Sequence, residues 1–505
     1  MKKVVILICL AFSTFAQEKP NIILIMSDDH TTQAIGAYGA RLAALNPTPA
    51  LDSLAQSGMR FDRVFCNNAI CTPSRASIIS GQYSQTNGVL DLNGSLPATK
   101  QYLPIELKKA GYQTAVIGKW HLKKEPAAFD YYNVLPGQGD YFDPIFRIRG
   151  DKKWGKNTEQ HKNKHSSDAI TDVSLEWLKN GRDKTKPFFL MHHFKAPHDM
   201  FENAKRYDSY LENIEIPEPG NLHNQPAPDF GSEASRHFGS GLSKDHQSWG
   251  LSKRLGIDQK IPGDKFTKVV YQKYLKRYLR CVKGVDDNIQ RLVNFLKKSG
   301  LYENTIIIYT SDQGFFLGEH DLMDKRWMYE EAFRMPFIVH YPKVIKAASV
   351  NDWLINNTDF APTILELAGI NKTPDYMQGR SFARALKGET KPGDWRQVTY
   401  YRYWMHLAHQ LKVPAHFGVR SERYKLIFFY GHNYKKRGPK PTPVAWEFYD
   451  LENDPHEMNN QYKNPEYKTI ITKMKDQLQQ TRKQLNETDI NYPNLKNIIE
   501  ENWDL

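Results

Sequence analysis

Cysteine is scarce in this chain: four in 505 residues, one of which, Cys9, lies in an N-terminal apolar stretch. The other three, Cys66, Cys71 and Cys281, are an odd number, which excludes a fully paired disulfide framework and leaves at least one thiol free or chemically special. Long hydrophobic runs are also missing. Nothing approaches the roughly 20 apolar residues that a membrane-spanning helix needs. The strongest run, Val4 to Leu10, follows Lys2 and Lys3 and precedes Thr14-Phe15-Ala16, the layout of a secretory signal peptide cleaved after Ala16. Cys9 has no small residues before it, so the pattern does not read as a lipid anchor. Internal repeats are absent too, and with 40% hydrophobic and 25% charged residues the chain does not have the composition of a disordered protein. The formal net charge is +13. An exported protein rarely meets nucleic acid, so this excess reads either as scattered surface lysines or as steering of some other polyanion.

The length calls for a large domain and a smaller one. Buried-strand runs at Asn21 to Met26, Thr114 to Ile117, Phe188 to His192, Thr305 to Tyr309 and Phe337 to His340 alternate with helical patterns. Thr48-Pro49 reads as a helix start, and Val269 to Leu296 as a long amphipathic helix with Cys281 on its apolar side. This alternation predicts an α/β domain around a large, mostly parallel sheet flanked by helices. Residues 201–265 are a polar excursion rich in Gly, Pro, His and Ser. Beyond about 375 the texture turns to short antiparallel strands at 398–404, 417–419, 424–429 and 447–450, then a polar helix over 465–487. The expected division is a leader at 1–16, a catalytic domain at 17–375 and a smaller α+β unit at 376–505.

Asp28 and Asp29 directly follow the first buried strand, and Asp312 and Gln313 follow another. Open α/β sheets collect ligands beyond the carboxyl ends of their strands. Two such pairs delivered to one edge place three carboxylates and an amide oxygen around a point, a donor set for Ca²⁺ or, less readily, Mg²⁺. Each pair alone could equally be a turn or a helix cap.

Cys71-Thr-Pro-Ser-Arg75, with Gly81 beyond it, resembles the modification motif of the sulfatase family. The resemblance continues in the family's order through Gly118-Lys-Trp-His121, Ala196-Pro-His198, Ser311-Asp-Gln-Gly314, Lys325 and Gly379-Arg-Ser381. It implies an alkaline phosphatase-like fold and one Ca²⁺ held by Asp28, Asp29, Asp312, Gln313 and the modified position 71. It also implies that a formylglycine-generating or sulfatase-maturing enzyme converts Cys71 to formylglycine, whose hydrate is the nucleophile. Arg75, Lys119 and Lys325 would neutralise the sulfate oxygens, His198 would protonate the departing oxygen, and His121 would help expel sulfate from the enzyme. Gln313 departs from relatives that carry asparagine or histidine there, yet it still offers a carbonyl oxygen. His192 and His193 fall on a strand and read as structural.

The substrate class implied is a sulfated polysaccharide or its oligosaccharides, of the ulvan or glycosaminoglycan type. His406, His416 and Arg420, near Tyr401, Tyr403 and Trp404, are candidate sugar contacts, although the aromatics could simply pack the small sheet. Two other readings remain open: a phosphate or phosphonate ester hydrolase of the same superfamily, and a catalytically silent binder of acidic glycans.

Overall fold

The computed structural model describes residues 19–223, 241–247, 250–435 and 437–505. The expected leader at 1–16 and part of the 201–265 excursion lie outside the described residues.

The first strand, Asn21–Ser27, sends Ile22, Leu24 and Met26 into one apolar core and Ile23 and Ile25 into another on the opposite face. An unbroken apolar run is what a strand covered on both faces requires. It lies in the middle of an eleven-stranded sheet. Across the sheet run Ser349–Asn351, Met59–Phe65, Arg334–His340, Thr305–Ser311, Asn21–Ser27, Phe188–His193, Gln113–Lys119, Tyr131–Leu135, Ile145–Ile148 and Thr158–Gln160, with Ile355–Asn356 also beside Met59–Phe65. The five strands from Thr305–Ser311 to Tyr131–Leu135 are parallel. Arg334–His340 runs antiparallel to both its neighbours, and the opposite margin is antiparallel as well. The mostly parallel expectation therefore holds for the centre, which is the part that matters here. Four parallel strands end at one edge and deliver Asp28, Asp312, Lys119 and, just past Phe188–His193, His198 to it.

The long helix is Gly263–Lys298, extending the expected span at both ends. Its buried Tyr278 hydroxyl donates to the carbonyl of Asp29 at 2.7 Å and accepts from the Thr31 amide at 3.2 Å. Its buried Asp286 accepts from the Ala50 and Leu51 amides, both at 3.0 Å, at the start of helix Pro49–Gln56. Those amides have no partner within their own helix, so a carboxylate from elsewhere supplies the cap.

A second, four-stranded antiparallel sheet comprises Thr399–Tyr403, His416–Arg420, Tyr424–Phe429 and Ala445–Asp450. Its alternation divides it cleanly. Tyr401, Tyr403, Ile427 and Phe429 join the large core, while Tyr400, Phe417, Leu426 and Phe428 face helices Lys468–Gln484 and Pro493–Glu501. Tyr401 and Tyr403 are thus packing residues. Trp404 also packs, with the Arg402 guanidinium 3.6 Å from its ring centre. Among the described residues, no helix is long and apolar enough to cross a membrane, and Cys66, Cys71 and Cys281 are all buried and unpaired.

Candidate active site

Cys71 opens helix Cys71–Ser80, every residue of which is buried. Gly81 ends it at φ +64°, with its N–H on the carbonyl of Ser77, a left-handed cap that suits glycine. The polar residues of this helix pin it to the sheet edge. Ser74 Oγ donates to the carbonyl of Asp312. Arg75 Nε donates to Asp312 Oδ2 at 3.0 Å and Nη1 to the carbonyl of Lys119 at 2.8 Å. Thr72 Oγ1 donates to the carbonyl of His121 at 3.1 Å. The residues after Cys71 are therefore the fasteners that hold its side chain over the strand ends.

Asp28, Asp29 and Asp312 offer carboxylate oxygens that all lie within 4.8 Å of one another. Asp28, Cys71 and His198 form a second such cluster. Three buried carboxylates so close repel each other, and the site answers with cations. Lys119 Nζ contacts Asp28 Oδ2, Arg75 lies on Asp312, and Lys325 Nζ donates to both oxygens of Asp29 at 2.6 Å. Burial nevertheless pushes the Asp29 carboxyl up to about 7, with Lys325 only partly opposing it. Burial acts the same way on Asp312, but Arg75, Lys119 and Lys325 outweigh it and hold that carboxyl below its usual range. Asp28 Oδ1 and Gln313 Oε1 are buried without a hydrogen bond, while Asp28 Oδ2 has only its ion-pair contacts with Lys119 and Arg75. Unsatisfied acceptors converging on one place fit a divalent cation. Gln313 Nε2 donates to Asp29 Oδ1. Which end of an amide faces a carboxylate follows from the hydrogen-bond network, and with a cation at this place the turned amide offers its oxygen instead.

Burial pushes the Cys71 thiol up to about 12, against the pull of Lys325. As a thiol it is inert near neutrality. His198 has Nδ1 at 2.6 Å from Asp199 Oδ1 and Nε2 at 3.8 Å from Asp29 Oδ2. Burial, followed by the neighbouring Lys119, lowers its pKa to about 3, while Asp199 works in the other direction. His121, at φ +54°, is held well below the usual histidine range by burial and Lys119, and its Nδ1 is buried without a partner. His192 and His193 are fixed on their strand by Ser174 Oγ at 2.7 Å and by the carbonyl of Lys119 at 3.1 Å, as expected of structural residues.

A cavity of about 340 Å³ opens over Cys71, His198 and Lys325. Gln138, Lys195, Asp199, Asp324, Arg326 and His409 also line it. Sequence reasoning missed all six. Adjacency could have signalled three of them, because Asp199 follows His198 while Asp324 and Arg326 flank Lys325. Arg326 bridges Asp324 at 2.7 Å, the Tyr403 hydroxyl at 3.0 Å and His409 Nδ1 at 3.4 Å. Grooves of about 600 and 970 Å³ elsewhere are larger but contain none of the clustered residues.

The three expected sugar contacts are not in this cavity. His406 is buried between the carbonyl of Lys440, at 2.9 Å, and the amide of Ala415. His416 lies among Trp327, Tyr401, Tyr403 and Phe429. Arg420 is paired with Glu330 at 3.2 Å. Proximity to aromatics in sequence drew attention to them, but the strand period turns His416 and Arg420 toward the large core, and His406 sits in the buried turn after Thr399–Tyr403.

Comparison with known proteins agrees with this arrangement. The family profile described as sulfatase matches residues 20–370, and that of the N-sulphoglucosamine sulphohydrolase C-terminal region matches 318–484. An N-acetylglucosamine-6-O-sulfatase of Bacteroides thetaiotaomicron is 39% identical, over 94% of this chain and 88% of its own length. An ulvan-active sulfatase of Formosa agariphila is 27% identical over 92% of this chain and 80% of its own. A solved structure in complex with its substrate D-glucosamine-2-N,6-O-disulfate superposes with a TM-score of 0.83 at 37% identity, covering 94% of this chain and 99% of that one. A phosphonate monoester hydrolase of Agrobacterium radiobacter shares the fold at a TM-score of 0.70 and 19% identity, covering 92% of this chain and 96% of that one. With the family profile covering well over half its length, this chain belongs to the sulfatase family and is a sulfuric ester hydrolase.

Proposed function

We propose that this enzyme removes the 6-O-sulfate of glucosamine units in sulfated glycans. One observation carries the reading: position 71, three aspartates and the cations Arg75, Lys119 and Lys325 form one buried, ion-paired cluster, of which Cys71 and Lys325 line the cavity. The glucosamine assignment rests on the 39% identical relative.

Asp28, Asp29, Asp312 and Gln313 would hold Ca²⁺, which, once bound, polarises sulfate oxygens and draws off their charge. Cys71 oxidised to formylglycine would supply a hydrated aldehyde as nucleophile. The thiol is 1% exposed, so the maturing enzyme must reach it before folding buries the helix. Arg75, clamped between Asp312 and the carbonyl of Lys119, fixes the geometry around position 71. Lys119 and Lys325 neutralise the carboxylates now and turn to sulfate oxygens when a cation takes those carboxylates over.

His198 gives its proton to the departing sugar oxygen. Asp199 at Nδ1 orients the ring and stabilises the imidazolium, so the acid forms when an anionic ester offsets the neighbouring lysines. His121, neutral in the free site, accepts the proton whose removal releases sulfate. In this reading residues 17–375 are the catalytic unit, and 376–505 contribute His409 to the cavity lining and the Tyr403 hydroxyl as a partner of Arg326. Residues 1–16 direct export to the periplasm or beyond.

The test is sulfate release from glucosamine 6-sulfate and its N-acetyl and N-sulfo forms, using protein shown by mass to be oxidised at Cys71. Release from the 6-sulfates but not from the matched 6-phosphates is expected. Faster cleavage of the phosphates would favour the phosphoester reading, to which the shared fold lends some weight. Tight binding of the oxidised protein to these sugars with no turnover would favour the silent binder.

A further inference from the structure

Nearly every charge around the cavity has a partner. Lys119 meets Asp28, Arg75 meets Asp312, Lys325 meets Asp29, Arg326 meets Asp324, and His198 meets Asp199. Lys195 is the exception. Its side chain lines the cavity beside Gln138 and His198 and is 5% exposed. Among the described residues it makes no side-chain hydrogen bond or ion pair. Its ammonium instead lies 4.5 Å from the centre of the Tyr141 ring.

Tyr141 is itself anchored. It is buried, and its hydroxyl donates to the carbonyl of His198. Lys195 is held from the backbone side as well, since its carbonyl accepts from the His198 amide at 3.2 Å. The ammonium is therefore placed on the same short segment as the acid that serves the leaving group, three residues away, with an aromatic floor beneath it. A buried cation without a counter-charge is costly, and a ring face offsets only part of that cost. Burial accordingly lowers its pKa, and Asp199, Glu202 and Asp140 only partly restore it.

Building on the sulfatase reading, we infer that Lys195 is the subsite for a second anionic group of the substrate, a sulfate or carboxylate lying within about one sugar ring of the ester being cleaved. The reacting sulfate has its own cations in Arg75, Lys119 and Lys325, which cluster with Asp28, Asp29 and Asp312. Lys195 stands on the wall, on the leaving-group side, where the rest of the sugar must lie. A substrate with a single negative charge leaves this ammonium unpaired, whereas one with two fills it. Lys195 thus selects for the more densely charged sugar.

The experiment uses Cys71→Ala protein, which holds sugars without turning them over, with and without Lys195→Met or Lys195→Arg. Calorimetry compares N-acetylglucosamine 6-sulfate with N-sulfoglucosamine 6-sulfate, whose second anion is on the same ring. A third arm is a disaccharide joining a uronate to N-acetylglucosamine 6-sulfate, whose second anion is on the neighbouring ring. Without a Lys195 substitution, at least one doubly anionic sugar should bind roughly 10- to 100-fold more tightly than the single sulfate, the range of one charge-assisted hydrogen bond. Which sugar it is identifies the source of the anion. Lys195→Met should erase that preference with little effect on the singly charged sugar, and Lys195→Arg should keep most of it. Equal weakening for all three sugars would place Lys195 on the reacting sulfate, and an unchanged preference would remove it from recognition. Either result overturns the inference. Sulfate release by oxidised wild-type protein is measured separately, so failure of the sulfatase reading is distinguishable from failure of this one.

Discussion

At the scale of single residues, burial sets the chemistry of the pocket. It pushes the Cys71 thiol up to about 12, so the thiol is favoured over the thiolate at neutral pH. Protein that escapes oxidation should therefore release no sulfate, and Cys71→Ala should match it. Mass spectrometry paired with sulfate release across preparations of differing oxidation checks this, and activity should scale with the oxidised fraction. His198 carries a different prediction. If it protonates the departing oxygen, His198→Ala should slow sugar sulfates by roughly 10²- to 10⁴-fold. It should barely slow 4-nitrophenyl sulfate, whose leaving group needs no proton. Comparable losses on both esters, measured as kcat, would assign His198 to sulfate binding instead. Asp28, Asp29, Cys71 and Asp312 were legible in the sequence because each is tied to a strand end or a motif. Asp199 and Asp324 went unread although each adjoins a motif residue, and Gln138, Lys195 and His409 have no pattern of their own until folding brings them into one cavity.

At the scale of elements, the apolar run Asn21 to Met26 announced its strand because both faces are covered. Met59–Phe65 gave no such signal: Arg60, Asp62 and Arg63 are only half-buried there, and the charged positions hide the period. Helix Pro493–Glu501 was missed for a similar reason, as it buries only Leu495 and Ile499. The polar helix at 468–484 was read correctly, since Ile471, Met474 and Leu478 keep a helical spacing on its buried face. His406, His416 and Arg420 show the limit of reading function from neighbours in sequence. In an alternating strand, every second residue points away from any given site.

The contact between the long helix and Pro49–Gln56 supports a stability prediction. Burial pushes the Asp286 carboxyl up to about 7 despite its two amide donors. The folded chain then keeps a proton that the unfolded chain has released from about pH 4 upward. The contribution of Asp286 to stability is fully present below the unfolded value and declines as pH rises toward 7. Between pH 5 and 8, urea unfolding of wild type should lose on the order of 1–3 kcal/mol relative to Asp286→Asn, which has no such proton. Parallel pH profiles for the two proteins would show that the amide donors, and not burial, control this carboxyl.

At the scale of the whole molecule, one edge of the parallel sheet gathers residues from position 28 to position 325, and His409, in the turn after the first strand of the second sheet, adds to the cavity lining. Such a site binds its cation only when the entire fold is in place. Calcium should therefore stabilise the protein as a ligand of the native state alone, by about 2.7 kcal/mol at a concentration 100 times its Kd. Chelation should lower the melting temperature reversibly and abolish sulfate release, and calcium should restore both. Asp312→Asn should weaken that response while Asp286→Asn leaves it intact.

The most direct measurement is a crystal structure of the oxidised protein grown with calcium. The account predicts one ion bonded at 2.3–2.6 Å to oxygens of Asp28, Asp29, Asp312 and Gln313, in contact with the modified side chain at position 71. An ion bound elsewhere, or an ordered pocket that takes none at saturating calcium, would contradict it.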